Sequence, residues 1–206
     1  MNTSATLTAP AACDAADRDA RLAEMANATR ELERFLAEVE RRAFRMAQIA
    51  LRHEDDALDA VQDAMLQLAH RYAARPAAEW KPLFYRILEN RIRDLQRRRS
   101  VRNRVMAWLP ARSHGDEAEA PDPIEQARDG GPEPPAQLES QQMLQRLEQA
   151  LAMLPARQRQ AFTLRNLEGM DVAETAVAMG CSEGSVKTHY FRALQALRVQ
   201  LGEFWR

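Results

Sequence analysis

The chain has 206 residues, 46% of them hydrophobic, and a net charge of only −1. This length holds one large or two small domains, and the low count of seven glycines favours helical ones. The two cysteines, Cys13 and Cys181, are far apart, so the sequence predicts neither a disulfide framework nor a thiolate metal site, as in a reducing cytosol. Apolar runs are too short to span a membrane and a secretory signal is not recognisable, so we expect a cytoplasmic protein without membrane insertion.

Charge and proline content divide the chain into parts. The small, polar residues 1–28 are expected to form a disordered or weakly helical leader. From Arg30 to residue 112 the net charge is +6, over 113–139 it is −7, and over 140–206 it is +2. Six of the ten prolines fall between positions 110 and 135, where neither helix nor strand is sustained. We therefore predict two folded domains, 29–112 and 140–206, joined by a flexible, acidic, proline-rich linker over 113–139.

Apolar spacing predicts that the first domain is all helix. Its first helix has residues at i, i+3, i+4 and i+7, namely Leu32, Phe35, Leu36 and Val39. After a break at 53–55, a second helix is expected to turn inward Leu58, Val61, Met65 and Leu68.

The opposite side of the second helix is acidic. Asp56, Asp59 and Asp63 recur at spacings of three and four, beside Gln62. Paired carboxylates can indicate acid catalysis or a metal site, but no histidine stands at ligand spacing, which favours a solvated face. A third interpretation is that this face docks on a basic partner.

The third helix, predicted from about Trp80 to Arg99, combines an apolar stripe with an arginine face. The stripe consists of Trp80, Phe84, Leu88, Ile92 and Leu95. The spacing i, i+4, i+7, i+11 places a second set on one exposed side, namely Arg86, Asn90, Arg93 and Arg97. Guanidinium groups near Trp80 and Tyr85 suit phosphate contacts and stacking on unpaired bases. A solvated basic helix is the alternative.

Residues 171–201 are typical of a helix, a short turn and a second helix. Asp171 and Glu174 form the pattern of a capping box, and Gly180 stands where the first helix must end. Ser182 can cap the second helix, whose buried stripe is predicted as Val186, Tyr190, Ala193, Leu194, Leu197 and Leu201. The outward residues suit phosphates and base edges, namely Ser185, Lys187, Thr188, His189 and Arg192. A pair of core helices with a solvated polar face is the alternative interpretation of this segment by itself.

Together these residues resemble a bacterial RNA polymerase sigma factor of the extracytoplasmic-function (ECF) group. The stretch ALDAVQDAMLQLAHRY (57–72) resembles the helix of that family that binds core polymerase. EWKPLFYRILENRIRDLQRRR (79–99) resembles the segment that melts and recognises the −10 element. LPARQRQAFTLRNLEGMDVAETAVAMGCSEGSVKTHYFRALQALR (154–198) resembles the domain that recognises the −35 element. The implied fold is all-α, with a sigma-2-like helical bundle and a sigma-4-like helix-turn-helix domain.

The resemblance implies a role for each group of residues. Against the β′ clamp helices of core polymerase it places Asp59, Gln62, Asp63 and Gln67. At the −10 element and its melted strand it places Trp80, Tyr85, Arg86, Asn90, Arg93 and Arg97, although Trp80 also belongs to the apolar stripe. At the −35 element it implies backbone contacts from Arg157 and Arg165 and major-groove contacts from Ser185, Lys187, Thr188, His189 and Arg192. His189 stands where many members carry Arg, which affects base preference.

The implied partners are core RNA polymerase, through its β′ clamp helices and β flap, and promoter DNA. Members of the family can also bind an anti-sigma factor. The resemblance further implies a monomer in the free state, with no cofactor and no catalytic residue. The acidic linker either follows the RNA-exit path of polymerase or repels nonspecific DNA. For Cys181, a small buried residue in a tight turn is favoured over a redox-sensitive thiol.

Two other classes of protein remain as alternatives. A stand-alone helix-turn-helix regulator shares the pattern GCSEGSVKTH, but it would usually be a dimer with a sensing domain, and the N-terminal domain lacks strand–helix alternation. A nuclease or deaminase would need clustered ligands, whereas the four histidines are scattered and no cysteine pair exists.

Overall fold

The computed structural model describes residues 11–108 and 135–202, and within these ranges every long element is an α-helix. The helices are α1 (Ala11–Leu51), α2 (Glu54–Tyr72), α3 (Ala77–Trp108), α4 (Pro135–Met153), α5 (Ala156–Asn166), α6 (Val172–Met179) and α7 (Glu183–Leu201). The predicted all-α class is confirmed. Residues 1–10 of the predicted leader and 113–134 of the predicted linker lie outside the described ranges.

The predicted boundaries differ from those of the helices. α1 begins at Ala11, inside the predicted leader, because its alanine-rich sequence has high helix propensity. α4 begins at Pro135, within the last residues of the predicted linker. Proline is well suited to the first turn of a helix, where its missing N–H has no intrahelical partner, so here it starts an element.

Helices α1, α2 and α3 form an N-terminal bundle. Its core contains Val39, Leu68 and Phe84, and Phe35 packs on Trp80 and Phe84 at ring-centroid distances of 5.9 and 6.2 Å. The Trp80 Nε1–H donates to the carbonyl of Tyr72 at 3.1 Å, which ties the start of α3 to the end of α2.

One inward prediction for α2 was wrong. Leu58 is 44% exposed, and the small residues Ala57, Ala60 and Ala64 join Val61 on the buried side instead. Alanines allow α2 to approach its neighbours closely, so the buried face is turned by about one residue from the position that the large side chains indicated.

Helices α4 to α7 form a C-terminal bundle, with Leu151, Leu154, Phe162, Leu197 and Leu201 in one core cluster. The predicted stripe of α7 is confirmed at Val186, Ala193, Leu197 and Leu201, whereas Tyr190 and Leu194 are half-buried. Tyr190 stacks against Phe162 at 6.4 Å and donates its hydroxyl to Asn166 Oδ1, so its polar end stays at the surface.

The two bundles pack against each other. Helix α6 contacts α3, and α4 contacts α1. Leu164, Met170 and Met179 of the C-terminal bundle join the same buried cluster as Phe84 and Leu88 of α3. The two predicted units therefore share apolar surface in this structure, which we call the closed state.

Candidate nucleic-acid interface

Both ends of α6 and the start of α7 are fixed by local contacts that the sequence predicts. Asp171 Oδ1 accepts from the Glu174 N–H at 2.7 Å, and Glu174 Oε2 accepts from the Asp171 N–H at 2.8 Å, so the capping box is complete. Gly180 ends α6 at φ 61°, a left-handed conformation that glycine adopts without steric cost. Ser182 caps α7 by accepting from the Ser185 N–H at 3.3 Å. These contacts set the direction of α7 against α6, as a helix-turn-helix requires.

Helix α7 presents a polar face to solvent. Lys187, Thr188 and Arg192 are exposed, while Ser185 and His189 are partly covered. The Thr188 hydroxyl donates to the Gly184 carbonyl at 2.9 Å and retains its acceptor capacity. The cations and hydroxyls of this face are the groups that contact phosphates and base edges in a major groove.

An exposed aromatic residue on α7 was missed by the sequence analysis. Phe191 is 59% exposed and lies three and four residues after Thr188 and Lys187, so it shares their side of the helix. The sequence did hold a signal for this exposure, because Phe191 does not belong to the predicted buried stripe of α7. An apolar side chain on such a face can contact the methyl group of thymine.

Arg157 and Arg165 both make hydrogen bonds within the C-terminal bundle. Arg157 Nη1 donates to the Met179 carbonyl at 2.7 Å, and Arg165 Nη1 donates to the Met170 carbonyl at 2.6 Å. The Arg165 guanidinium also lies 5.8 Å from the centre of the Tyr190 ring. Both side chains are half-buried, and each still has further N–H donors for a phosphate. The structure therefore shows a structural role for both residues, and the expected contact with the DNA backbone stays a prediction.

On α3 the structure separates the expected site residues into two groups. Arg86, Asn90, Arg93 and Arg97 are exposed, as the spacing predicts. Trp80 and Tyr85 differ from the expectation, because they are only 3% and 0% exposed and neither ring can stack on a base in this conformation. Tyr85 packs edge-on against Phe84 at 5.1 Å, and burial raises the pKa of its hydroxyl far above the ordinary value.

The outer face of α2 keeps its acidic character. Asp59, Gln62 and Asp63 are exposed, and Gln67 is half-buried. Two exposed leucines, Leu58 and Leu66, lie on this helix as well, and the apolar spacing predicted no face for Leu66. Acidic and apolar groups together suit a protein partner with basic side chains around an apolar patch.

Asp56 belongs to a different contact. It lies 2.7 Å from Arg99 Nη2, so it joins α2 to α3 instead of facing solvent with Asp59 and Asp63. Among residues 11–108 and 135–202, no group of three or more metal-ligating side chains comes together. The helices of the described ranges also include none long and apolar enough to cross a membrane.

Comparison with known proteins places this geometry in a family. Residues 144–197, which contain α5, α6 and most of α7, match the model of sigma-70, region 4. The chain is 34% identical over 166 residues to the ECF RNA polymerase sigma factor SigM of Mycobacterium tuberculosis, covering 79% of this chain and 72% of SigM. It is 32% identical over 146 residues to the RNA polymerase sigma-E factor of Streptomyces antibioticus, covering 71% of each. The chain belongs to the ECF sigma factors.

A solved structure shares the fold. The sigma factor RpoE of Bartonella quintana, crystallised with the anti-sigma factor NepR, superposes with a TM-score of 0.56 at 24% identity, covering 83% of this chain and 98% of RpoE. The expected resemblance to ECF sigma factors is thus confirmed, and this ECF sigma factor is a transcription initiation factor. The alternative of a stand-alone helix-turn-helix regulator is not favoured.

Proposed function

We propose that this ECF sigma factor divides its work among three faces: α2 binds core RNA polymerase, α3 engages the −10 element, and α7 engages the −35 element. The observation that supports the proposal is that each face is exposed on a different helix, while the apolar side chains of the core are buried beneath it. The chain itself performs no bond-making step and needs no cofactor, since binding energy is sufficient to select and open a promoter.

The acidic face of α2 is the docking surface for polymerase. Asp59 and Asp63 supply charge, and Leu58 supplies the apolar area that a lasting contact needs. Asp63 lies 3.7 Å from Arg91 Nε, so its position is partly set by α3. A basic, partly apolar surface such as the β′ clamp helices is the complementary partner, and the β flap is a second contact for the C-terminal bundle.

The α7 face enters the major groove at the −35 element. Lys187 and Arg192 supply positive charge, and Phe191 adds an apolar contact. The imidazole of His189 offers a weaker phosphate contact than the permanently charged guanidinium of an arginine would. Its place on this face makes it a determinant of base preference.

The α3 face holds the opened strand. Flipping a base out of the stack costs a few kcal/mol, which protein contacts must offset. Arg93 and Arg97 supply phosphate contacts, and Asn90 supplies an amide that can pair with a base edge. A buried aromatic such as Tyr85 would take part only after a rearrangement of α3, so the exposed polar residues carry the first contact.

DNA binding by the free chain should be weak. The predicted domains carry net charges of only +6 and +2, and phosphate neutralisation sets nonspecific affinity. Polymerase therefore supplies the missing affinity by holding two weak sites at the correct distance, as a linker does for two modules. An anti-sigma factor that covers the α2 or the α3 face would therefore inhibit this protein in the cytoplasm.

The test compares one variant for each face in a purified system with core polymerase. Asp63→Ala should reduce co-elution with core polymerase, Arg93→Ala should reduce permanganate reactivity of the opened strand, and Lys187→Ala should reduce protection of the upstream element. Arg75→Ala is the matched control, because Arg75 is exposed and pairs only with Glu79 at 3.6 Å among the described residues. A loss of all three activities in every variant would contradict the assignment of one role to each face.

A further inference from the structure

A pocket of about 320 Å³ lies between the turn that joins α1 to α2 and the second half of α3. Its lining combines three guanidinium groups, one imidazole, one carboxylate and one apolar side chain, which belong to Arg98, Arg99, Arg102, His53, Asp56 and Leu95. With the histidine neutral, these six residues carry a net charge of +2. None of them belongs to the three faces that we propose for polymerase and the promoter.

The frame of the pocket is fixed by contacts between α3 and the turn. Arg99 Nη2 lies 2.7 Å from Asp56 Oδ2, and Arg99 Nη1 donates to the Leu51 carbonyl at 3.1 Å. Gln96 Nε2 donates to the Ala50 carbonyl at 3.0 Å, so two side chains of α3 satisfy carbonyl groups at the end of α1. These contacts hold the turn against α3, and they neutralise the single carboxylate of the pocket.

Arg98 and Arg102 keep their positive charge uncompensated. Both side chains are exposed, and neither makes an ion pair or hydrogen bond with any group that the structure describes in 11–108 and 135–202. They stand four residues apart and are therefore neighbours on one side of α3, where like charges repel each other. Because a bound anion would remove this repulsion, the pair suits a ligand better than it suits the helix alone.

His53 adds a third donor to the pocket. Its Nδ1 accepts from the Asp56 N–H at 3.3 Å, a contact that caps α2. In the neutral imidazole the proton therefore sits on Nε2, which becomes a hydrogen-bond donor. Two guanidinium forks and one ring N–H thus surround the pocket, and phosphate oxygens accept from both kinds of group.

The arginine pair lies on the side of α3 that faces away from the proposed −10 face. At about 100° per residue, Arg98 and Arg102 lie about 140° and 180° around the helix axis from Arg93. A DNA strand held at Arg93 therefore runs along the other side of α3. The exposed carboxylates of Glu54 and Asp55 directly follow His53, and they would repel the row of phosphates of a duplex. A compact anion places its charge inside the pocket only.

We propose that this pocket binds a small ligand with two adjacent phosphates, such as a nucleoside diphosphate. Arg98 and Arg102 each take one phosphate through paired guanidinium N–H groups, and His53 Nε2 donates to one of the two. The volume of about 320 Å³ stands at the lower end of the range of about 300–1,000 Å³ for ligand pockets, which suits a compact group. The site lies outside the three proposed faces and does not depend on their roles.

Isothermal titration of the full-length chain with inorganic pyrophosphate, at fixed ionic strength, tests the site. Arg98→Ala and Arg102→Ala should each weaken the affinity about tenfold or more, because each removes a charge-assisted contact. Arg104→Ala is the matched control, since Arg104 is an exposed arginine of α3 that lies only about 20° around the axis from Arg93. It should bind pyrophosphate as the wild type does. Circular dichroism checks that each variant keeps its helices.

Chemical modification locates the bound anion. Phenylglyoxal reacts with exposed guanidinium groups, and peptide mass spectrometry follows each arginine separately. Saturating pyrophosphate should protect Arg98 and Arg102 from modification and leave Arg104 reactive. Protection of all three, or of none, would overturn the proposed site.

The remaining outcomes separate a small ligand from DNA. No saturable binding of pyrophosphate to the wild type, or an equal loss in Arg104→Ala, would overturn the proposal, the latter by showing a general attraction of anions. A fluorescein-labelled random duplex is titrated against the same variants. A greater loss of duplex affinity in Arg98→Ala and Arg102→Ala than in Arg104→Ala would assign the pair to a DNA backbone and also overturn it. Failure of the chain to support transcription would instead count against the proposed function and leave this site unaffected.

Discussion

Arg157 provides a stringent test of the structure, because the sequence and the structure indicate different main roles for it. The resemblance to sigma factors implies a DNA-backbone contact, whereas the structure shows Arg157 Nη1 donating to the Met179 carbonyl at 2.7 Å and to Gln160 Oε1 at 3.2 Å. Met179 is the last residue of α6, so the guanidinium also meets the negative end of the helix dipole. Arg157→Ala should therefore destabilise the fold.

The magnitude follows from the contacts. A hydrogen bond from a charged donor contributes about 1.5–3 kcal/mol, and the dipole interaction adds roughly 0.3–1 kcal/mol. We expect Arg157→Ala to lower the free energy of unfolding by about 2–3 kcal/mol. Arg192 is the matched control, because it is an exposed arginine of the same bundle, and Arg192→Ala should change stability by about 0.5 kcal/mol or less.

Urea denaturation followed by circular dichroism measures both variants, with the slope of the transition checked for a change in the unfolding mechanism. Arg157→Lys should recover only part of the loss, because a freely rotating ammonium does not hold its donors in the fixed plane from which Nη1 contacts both acceptors. Equal free energies of unfolding for Arg157→Ala and Arg192→Ala would refute the structural role.

Three further predictions concern DNA recognition, the core and pH. Lys187→Ala and Arg192→Ala should each weaken binding of the holoenzyme to its upstream element by about 1–3 kcal/mol if the two residues contact bases. Footprint titration at fixed salt measures this loss. An equal loss of affinity on all sequences would indicate phosphate contacts instead. Trp80→Ala should lower the free energy of unfolding of the N-terminal bundle by about 3–5 kcal/mol, because Trp80 is 3% exposed and its Nε1–H donates to the Tyr72 carbonyl. A loss of stability below about 1 kcal/mol by calorimetry would contradict the place of Trp80 in the core. The closed state should weaken between about pH 4.5 and 7, because burial raises the pKa of Glu89 from 4.5 to about 7. Its contribution is therefore fully present below pH 4.5 and is lost as pH rises through about 7. The free energy of unfolding in urea should fall more over this range in the wild type than in Glu89→Gln, and an equal change in the two proteins would exclude the coupling.

The sequence predicts best those features that depend on neighbours along the chain. The capping box at Asp171 and Glu174 and the left-handed Gly180 are local, and the structure has each of them. The exposed arginine face of α3 follows from helix periodicity alone, because residues three and four apart share a side.

Features that depend on tertiary contacts were not predictable in the same way. Leu58 was assigned to the core by its size, yet the alanines of α2 determine which side packs closely. Trp80 and Tyr85 have the chemistry for base stacking, and only the packing of α3 shows that they are buried. The contact between Glu168 and Arg42 joins residues far apart in sequence, and no local pattern marks either as a partner.

The central claim is that this chain is a promoter-selective initiation factor whose three faces bind core polymerase, the −10 element and the −35 element. Run-off transcription with purified core RNA polymerase, with and without the full-length chain, on a pool of promoter fragments from the same genome tests it most directly. We predict discrete transcripts that appear only when the chain is present and that share two sequence elements at a fixed spacing. No added transcripts, together with binding of the free chain to double-stranded DNA and no co-elution with core polymerase, would contradict the claim.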